Sequence, residues 1–272
     1  MHTIVCIKQV PDPETPSASF RIDTATNRVI PAQGIAAVVD PYGENAVEAA
    51  LQVKDKLGGT VTAICMGDKA GREALKHVMS MGVDEGVLLD DPAFQDADSY
   101  ATARTLAAAI QKASGDPKFG PFDLVLCGRQ SSDTDMGQVG PGLAELLGIP
   151  STTIALKIGV SDGTARVERI AEDGRDVVEL TLPGLVTISN EVGSPRYPTL
   201  RGIMAAARKE VTTWGTADLG LSPSDVGREG SRQRLRRLFI PVRDSKCELI
   251  EADTVPEAAV KLALRLREAK II

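Results

Sequence analysis

Along the first half of the chain, short apolar runs alternate with longer stretches whose apolar residues recur at helical spacing, the pattern of helices packed on a mostly parallel sheet. Thr3 to Lys8, Thr60 to Met66, Gly86 to Leu89 and Leu124 to Cys127 are the predicted strands. Asp40 caps a helix with Pro41 near its first position, and Ala46, Val47, Ala50, Leu51 and Val53 form its inward stripe until about Gly58. A second helix is predicted from about Gly71 to Met81. A third opens at Asp98 or Ser99 and turns Leu106, Ala109 and Ile110 inward. Residues 20–31 read as a small hairpin that turns near Thr24 to Asn27.

After Pro150 the pattern changes to strand-like runs over 151–158, 164–170, 177–182 and 185–188. The alternating stretch 167–180 turns at Asp173 and Gly174, which predicts an antiparallel hairpin that either adds to the sheet or flanks it. Leu200 to Lys209 reads as a short helix and Gly215 to Gly230 as an extended arm. Thr254 caps a last helix whose Ala258, Leu262, Leu266 and Ala269 offer an apolar face to a core or a partner. The expected fold is therefore α/β: a doubly wound, mostly parallel, Rossmann-like sheet with added antiparallel strands, then a C-terminal arm and helix. The expected domains are 1–210, holding the antiparallel strands of about 151–190, and 211–272.

One loop carries most of the functional signal. GRQSSDTDMGQVGP, residues 128–141, follows the apolar run Leu124 to Cys127 and leads into AELLG. A strand that breaks on glycine and enters a helix through a polar loop presents free backbone N–H groups and the positive end of a helix dipole, which favour a phosphate. Pro141 lacks an N–H and is tolerated only in a first turn, so the helix opens between about Asp135 and Val139. Two readings fit: an anion cradle for a nucleotide, or a plain loop whose Ser, Thr and Asp cap the helix. The loop is neither GxxxxGK[ST] nor GxGxxG, which removes support for a kinase or ATPase. Asp133 and Asp135 would repel a phosphate they faced, so one of them is expected to cap or orient the loop by accepting from backbone N–H groups. The doubly wound order puts Cys6, Asp40, Met66 and this loop at one switch point.

Composition narrows the classes. With 272 residues, a net charge of −6 and 3% aromatics, the chain lacks the basic surface and stacking platforms of a nucleic-acid binder. No run has the length of a membrane span and the start MHTIVCIKQVPD has no secretory pattern, so a cytoplasmic location is expected. Cys6, Cys65, Cys127 and Cys247 form no CxxC or metal spacing. The first three end strand-like runs, as ligand-edge residues or as small buried hydrophobes. Arg228, Arg232, Arg234, Arg236 and Arg237 form a basic cluster, either a solvated segment or a docking strip for an acidic subunit. His2 and His77 are the only imidazoles, and neither neighbours a plausible nucleophile. With no GxSxG, HExxH or Cys and His signature, a bound cofactor is a better expectation than hydrolysis.

Several segments together resemble the beta subunit of electron transfer flavoproteins: IVCIKQVPD, DPYGENAVEAA, CMG, ALKHVMSMGVDEGVLL, the GRQSSDTDMGQVGP loop, LPGLVTISNEVGSPRYPTLRGIM and DLGL, in order from residue 2 to about 221. The resemblance implies a heterodimer with an alpha subunit that carries a redox-active FAD, moving electrons from dehydrogenases to an acceptor such as a quinone reductase. It implies an AMP held by Cys6, Asp40, Pro41, Tyr42, Gly43, Met66, Gly128, Arg129, Gln130, Ser131, Ser132, Asp133, Thr134, Asp135, Met136, Gly137, Gln138 and Val139. Asp40 stands where the family's motif usually has Asn, and Thr134 and Met136 where its loop commonly has Gly and Thr. KQVPD and AFQDADSYATARTLAAAI are similar to the electron-bifurcating and nitrogen-fixation-associated branch. That likeness implies a second FAD in place of AMP, hydride from NADH, a ferredoxin- or flavodoxin-type acceptor, and flavin-side contacts at Asp98, Ser99 and Thr102, which otherwise read as helix-cap residues. Pro195 to Met204, within a recognition loop of about 191–204, resembles the segment that grips a dehydrogenase. Leu200 matches its anchor and Arg208 lies in the basic patch behind it, where Ala205 lacks the charge.

Two readings of other classes stand beside this one. An adenine-nucleotide-sensing regulator of the same architecture would bind AMP or ATP without an alpha subunit. A thiol enzyme using Cys6 or Cys127 would need a base that the sequence does not supply.

Overall fold

The computed structural model describes residues 1–241 and 247–272. They fall into two compact units, Met1–Arg237 and Leu238–Ile272. The strands are β1 (His2–Ile7), β2 (Gln9–Val10), β3 (Arg21–Asp23), β4 (Arg28–Ile30), β5 (Val38–Val39), β6 (Thr60–Met66), β7 (Glu85–Leu89), β8 (Leu124–Gly128), β9 (Ser151–Ser161), β10 (Thr164–Ala171), β11 (Gly174–Thr181), β12 (Gly184–Ile188) and β13 (Val211–Trp214). The helices are α1 (Pro41–Leu57), α2 (Lys69–Met81), α3 (Ser99–Gly115), α4 (Val139–Leu147), α5 (Leu200–Arg208), the single turn α6 (Gly227–Gly230) and α7 (Val255–Glu268).

Nine strands form one sheet in the order β11-β10-β9-β12-β8-β1-β6-β7-β13. From β9 to β13 every neighbouring pair is parallel, and the β10–β11 hairpin extends the β9 edge antiparallel. The strands after Pro150 thus add to the main sheet. The small hairpin β3–β4 stands apart, its turn closed by Asn27 at a φ of 54°.

Helices cover both faces, and the period-2 pattern of β1 shows why. Val5 and Ile7 pack with Val47, Leu51, Leu75 and Val78 of α1 and α2 and with Ala206 of α5. Ile4 and Cys6 pack with Leu106 and Ile110 of α3 and Leu143 of α4. Leu75 is fully buried, and its truncation to Ala would cost roughly 2–5 kcal/mol. The inner face of α3 is mostly alanine, with Ala101, Ala103, Ala109 and Ala113 buried, so the helix lies close on the sheet.

The region read as an extended arm differs from expectation. Val211 to Trp214 is an edge strand on β7, and Trp214 is buried against Phe119. The chain then folds back: Thr216 donates through its N–H and its hydroxyl to Asp91, Val226 is fully buried, and the Arg228 N–H donates to the Gln95 carbonyl. The first compact unit therefore runs to Arg237, beyond the boundary at 210 expected from periodicity. Isolated apolar anchors and side-chain bonds to backbone hold this segment, and neither leaves a periodic trace. In the second unit Thr254 caps α7 as expected, and no residue of that helix is buried.

Candidate functional site

The connections reverse at β1. From there the chain winds through α1 to β6 and α2 to β7, then crosses by α3 to β8 on the other side of β1. Cys6 sits in register with Cys127 of β8, both facing α3 and α4, and Met66 packs on the same cluster. Cys65 lies on the opposite face, where a Cβ on Gly71 would meet its sulfur at 3.2 Å. The three cysteines therefore do not share one surface. The hydrogen bond to Cys127 and then burial push the Cys6 thiol well above its ordinary pKa, and burial pushes Cys65 up to about 12. Neither is poised as a nucleophile.

Asp40 joins α1 to the 128–139 loop. Its carboxylate caps α1 by accepting from the Tyr42 and Gly43 N–H groups, each at 3.1 Å, and its other oxygen accepts from the Ser132 N–H at 2.7 Å. Pro41 occupies the first helical position. Gly128 is required for this approach, because a Cβ there would lie 2.7 Å from the Tyr42 backbone. Asp135 and Gly137 take left-handed φ values of 51° and 62° that shape the turn into α4.

The loop's acidic side chains are occupied. Asp133 pairs with Lys8 at 2.7 Å, and Asp135 accepts from Gln130, which also reaches the Tyr42 hydroxyl. Arg129 lies over the Tyr42 ring, 5.5 Å from its centre, and the Ser131 and Thr134 hydroxyls bond each other at 2.8 Å. Met136 is exposed. What remains open is the helix end. α4 starts at Val139, its N-cap Gln138 makes no side-chain capping bond, and α1, α2, α3, α5 and α7 are each capped by Asp or Thr. The Ser132 hydroxyl is the one buried side-chain polar atom without a hydrogen-bond partner among the described residues. An uncapped N-terminus, entered from a loop that carries an orphaned hydroxyl, suits an anion such as a phosphate.

The N-terminus of α3 is different. One Asp98 oxygen accepts from the Ala101 N–H and the other from the Arg232 and Gln233 N–H groups, all at 2.8 Å. Burial opposes its ionisation, and these N–H groups outweigh that and hold its pKa below the ordinary value. Ser99 and Thr102 lie half-buried in the same first turn. Arg232 covers the Tyr100 ring at 3.6 Å, and Asp96 pairs with both Arg28 and Arg228. The basic cluster is thus in part a strap lashed over α3. His77 pairs with Glu44 at 2.7 Å, and buried His2 bonds Thr62, so both imidazoles are structural.

Leu200 opens α5 and is 76% exposed; Tyr197, Ile203 and Met204 extend it into an apolar ridge, and Arg208 is exposed in the last turn. Leu200 alone is singled out by the sequence as the anchor. Ile203 and Met204 follow it at i+3 and i+4 on the same helix, a spacing visible in the sequence, whereas Tyr197 precedes the helix and carries no such signal.

The profile of the electron transfer flavoprotein domain matches residues 28–219. The chain is 40% identical over 273 residues to the caffeyl-CoA reductase-Etf complex subunit CarD of Acetobacterium woodii, with all of both chains covered. It is 38% identical over 272 residues to the electron transfer flavoprotein subunit beta of Clostridium acetobutylicum, again over both full lengths. Over 276 residues it is 36% identical to protein FixA of Bradyrhizobium diazoefficiens, covering all of this chain and 93% of that one.

Proposed function

The chain belongs to the electron transfer flavoprotein family, on its beta-subunit side, and from that premise we propose that it works in a heterodimer with an alpha subunit that carries a redox FAD. In this reading the N-terminus of α4 seats the phosphate of an adenine nucleotide, and the observation that carries it is the uncapped helix end together with the orphaned Ser132 hydroxyl in the loop that leads into it. Ser132 and the N–H groups of the loop bind the phosphate. Asp40 does not face it; by fixing Ser132 and the start of α1 it holds the loop in its binding shape. Lys8 and Gln130 neutralise or engage the loop carboxylates, which would otherwise repel the anion.

The nucleotide proposed is the AMP part of a second FAD. The likeness of residues 93–110 to the bifurcating branch supports it, as does the similarity to CarD and FixA. When bound, a FAD would supply a second redox centre able to exchange electron pairs with a nicotinamide, whereas AMP would supply adhesion only. Leu200 and its ridge would meet a dehydrogenase, the second unit would pack on the alpha subunit, and a quinone reductase or a ferredoxin- or flavodoxin-type carrier would take the electrons. None of the helices among the described residues is long and apolar enough to cross a membrane, which fits the proposed cytoplasmic setting.

Co-expression with the alpha subunit and release of nucleotides into acid tests the proposal. Two FAD per heterodimer is the expected result. One FAD plus AMP would leave a non-bifurcating carrier, and tight AMP or ATP binding by the isolated chain with no flavin in the complex would favour a nucleotide sensor.

A further inference from the structure

Tyr197 and Leu200 of the apolar ridge are mostly exposed and Ile203 and Met204 only half-buried, so much of the ridge's order comes from what lies behind it. The loop that presents it is tied to α1 at two points. Asn45 donates to the Gly193 carbonyl at 2.9 Å, and Arg196 makes a fork: Nε and the terminal nitrogen bond the two Glu48 oxygens at 2.8 and 3.1 Å, its backbone N–H bonds Glu48 at 3.1 Å, and the terminal nitrogen also reaches Asp55 at 2.9 Å. Glu48 is buried. Burial opposes its ionisation, but the bonds from Arg196 prevail and hold its pKa below the ordinary range, while Glu48 raises that of Arg196. At the other end Lys76 donates to the carbonyls of Ala206, Ala207 and Lys209, and α5 crosses α2 at Gly202, where a Cβ would strike the Ser80 carbonyl at 2.3 Å.

We propose that Arg196 is a positioning residue for partner docking: its fork onto Glu48 and Asp55 sets the loop before any partner arrives, so that the ridge meets a dehydrogenase already ordered. The physical gain is pre-organisation, since a loop fixed in advance spends no binding energy on ordering itself. Only a planar guanidinium satisfies two carboxylates and a fixed backbone position at once; a lysine keeps the charge and loses the fork. The inference rests on the reading of Leu200 as the dehydrogenase contact.

The test uses the full heterodimer and an acyl-CoA dehydrogenase whose reduced flavin the wild-type complex oxidises, chosen because the complex of the relative CarD is named for a reductase of a CoA thioester, caffeyl-CoA. Arg196→Lys is expected to raise the KM for the flavoprotein roughly three- to tenfold with kcat and nucleotide content unchanged, in line with the cost of ordering a few side chains. Arg196→Gln, which strands the buried Glu48, is expected to do at least as much, and hydrogen exchange of residues 194–204 should quicken in both. If Leu200→Ala raises KM while Arg196→Lys and Arg196→Gln leave it at the wild-type value, the positioning role is wrong. If Leu200→Ala leaves KM unchanged, the docking reading itself fails. A fall in kcat at constant KM in the Arg196 variants would also overturn the proposal.

Discussion

Helices α3 and α4 both begin at the same edge of the sheet and pack on the same face, yet their first turns are built to opposite ends. The N-terminus of α3 is closed: Asp98 caps it, and the same carboxylate binds two further N–H groups of the 231–233 segment. The N-terminus of α4 has no side-chain cap, and in the loop that leads into it the buried Ser132 hydroxyl has no partner among the described residues. Orphan donors at a helix end need water, a side chain or a ligand. The difference teaches where the proposed phosphate seat can lie: a helix end left open, entered from a loop with an unsatisfied polar atom, has donors to offer, and a helix end saturated from within serves the architecture. For the proposed flavin this leaves Ser99 and Thr102 as the free side chains at α3, with Asp98 committed elsewhere.

Four substitutions sharpen or break that contrast, and nucleotide binding, as content or affinity, is the common readout. Gly128→Ala should have the largest effect. Its Cβ would press on the Tyr42 backbone, so the heterodimer should lose its beta-site nucleotide and about 1–3 kcal/mol of stability by thermal or urea unfolding. Asp40→Ala removes the cap of α1 and the hold on Ser132 together. Nucleotide occupancy should fall sharply at a stability cost of about 1–2 kcal/mol.

Ser132→Ala is more discriminating, since it deletes a hydroxyl that has no partner among the described residues. Stability should stay within about 0.5 kcal/mol, while isothermal titration of the nucleotide-stripped heterodimer shows an affinity loss of roughly tenfold, the worth of one hydrogen bond to a charged group. Asp98→Asn should leave nucleotide content at the wild-type level. Its effect should instead be faster tryptic cleavage after Arg232 and Arg234, because the strap loses its mooring. The pH dependence follows from the sign of the shift. Asp98 has a depressed folded pKa, so its contribution is present above the ordinary value of 3.8 and fades as pH falls through the folded one. The stability gap between variant and wild type should therefore close as pH falls below about 4.

Much of this was legible in the residues because the relevant signals are local. Asp40 followed by Pro41, the apolar stripes of α1 and α2, and the strand–glycine–helix order around Gly128 each follow from backbone chemistry within a few positions. The start of α4 at Val139 falls at the end of the interval that Pro141 allowed. What could not be read is what depends on distant partners. Nothing near Asp98 in sequence announces that residues 232 and 233 return to it, just as Thr216 gives no sign of Asp91 or Glu48 of Arg196. The Val211–Trp214 strand was missed because four residues are too few to show a period. Cys65 was placed with the other cysteines because its place in an apolar run does not tell which face of a strand it occupies.

The central claim is that the open end of α4 seats a nucleotide phosphate. Its most direct test is the acid-released nucleotide content of the wild-type heterodimer measured beside that of Asp40→Ala and Asp98→Asn. The account predicts one adenine nucleotide beyond the FAD of the alpha subunit in the wild type and in Asp98→Asn, and its loss from Asp40→Ala alone. A wild-type complex with no second nucleotide, or one that loses it with Asp98→Asn and keeps it with Asp40→Ala, would contradict the account.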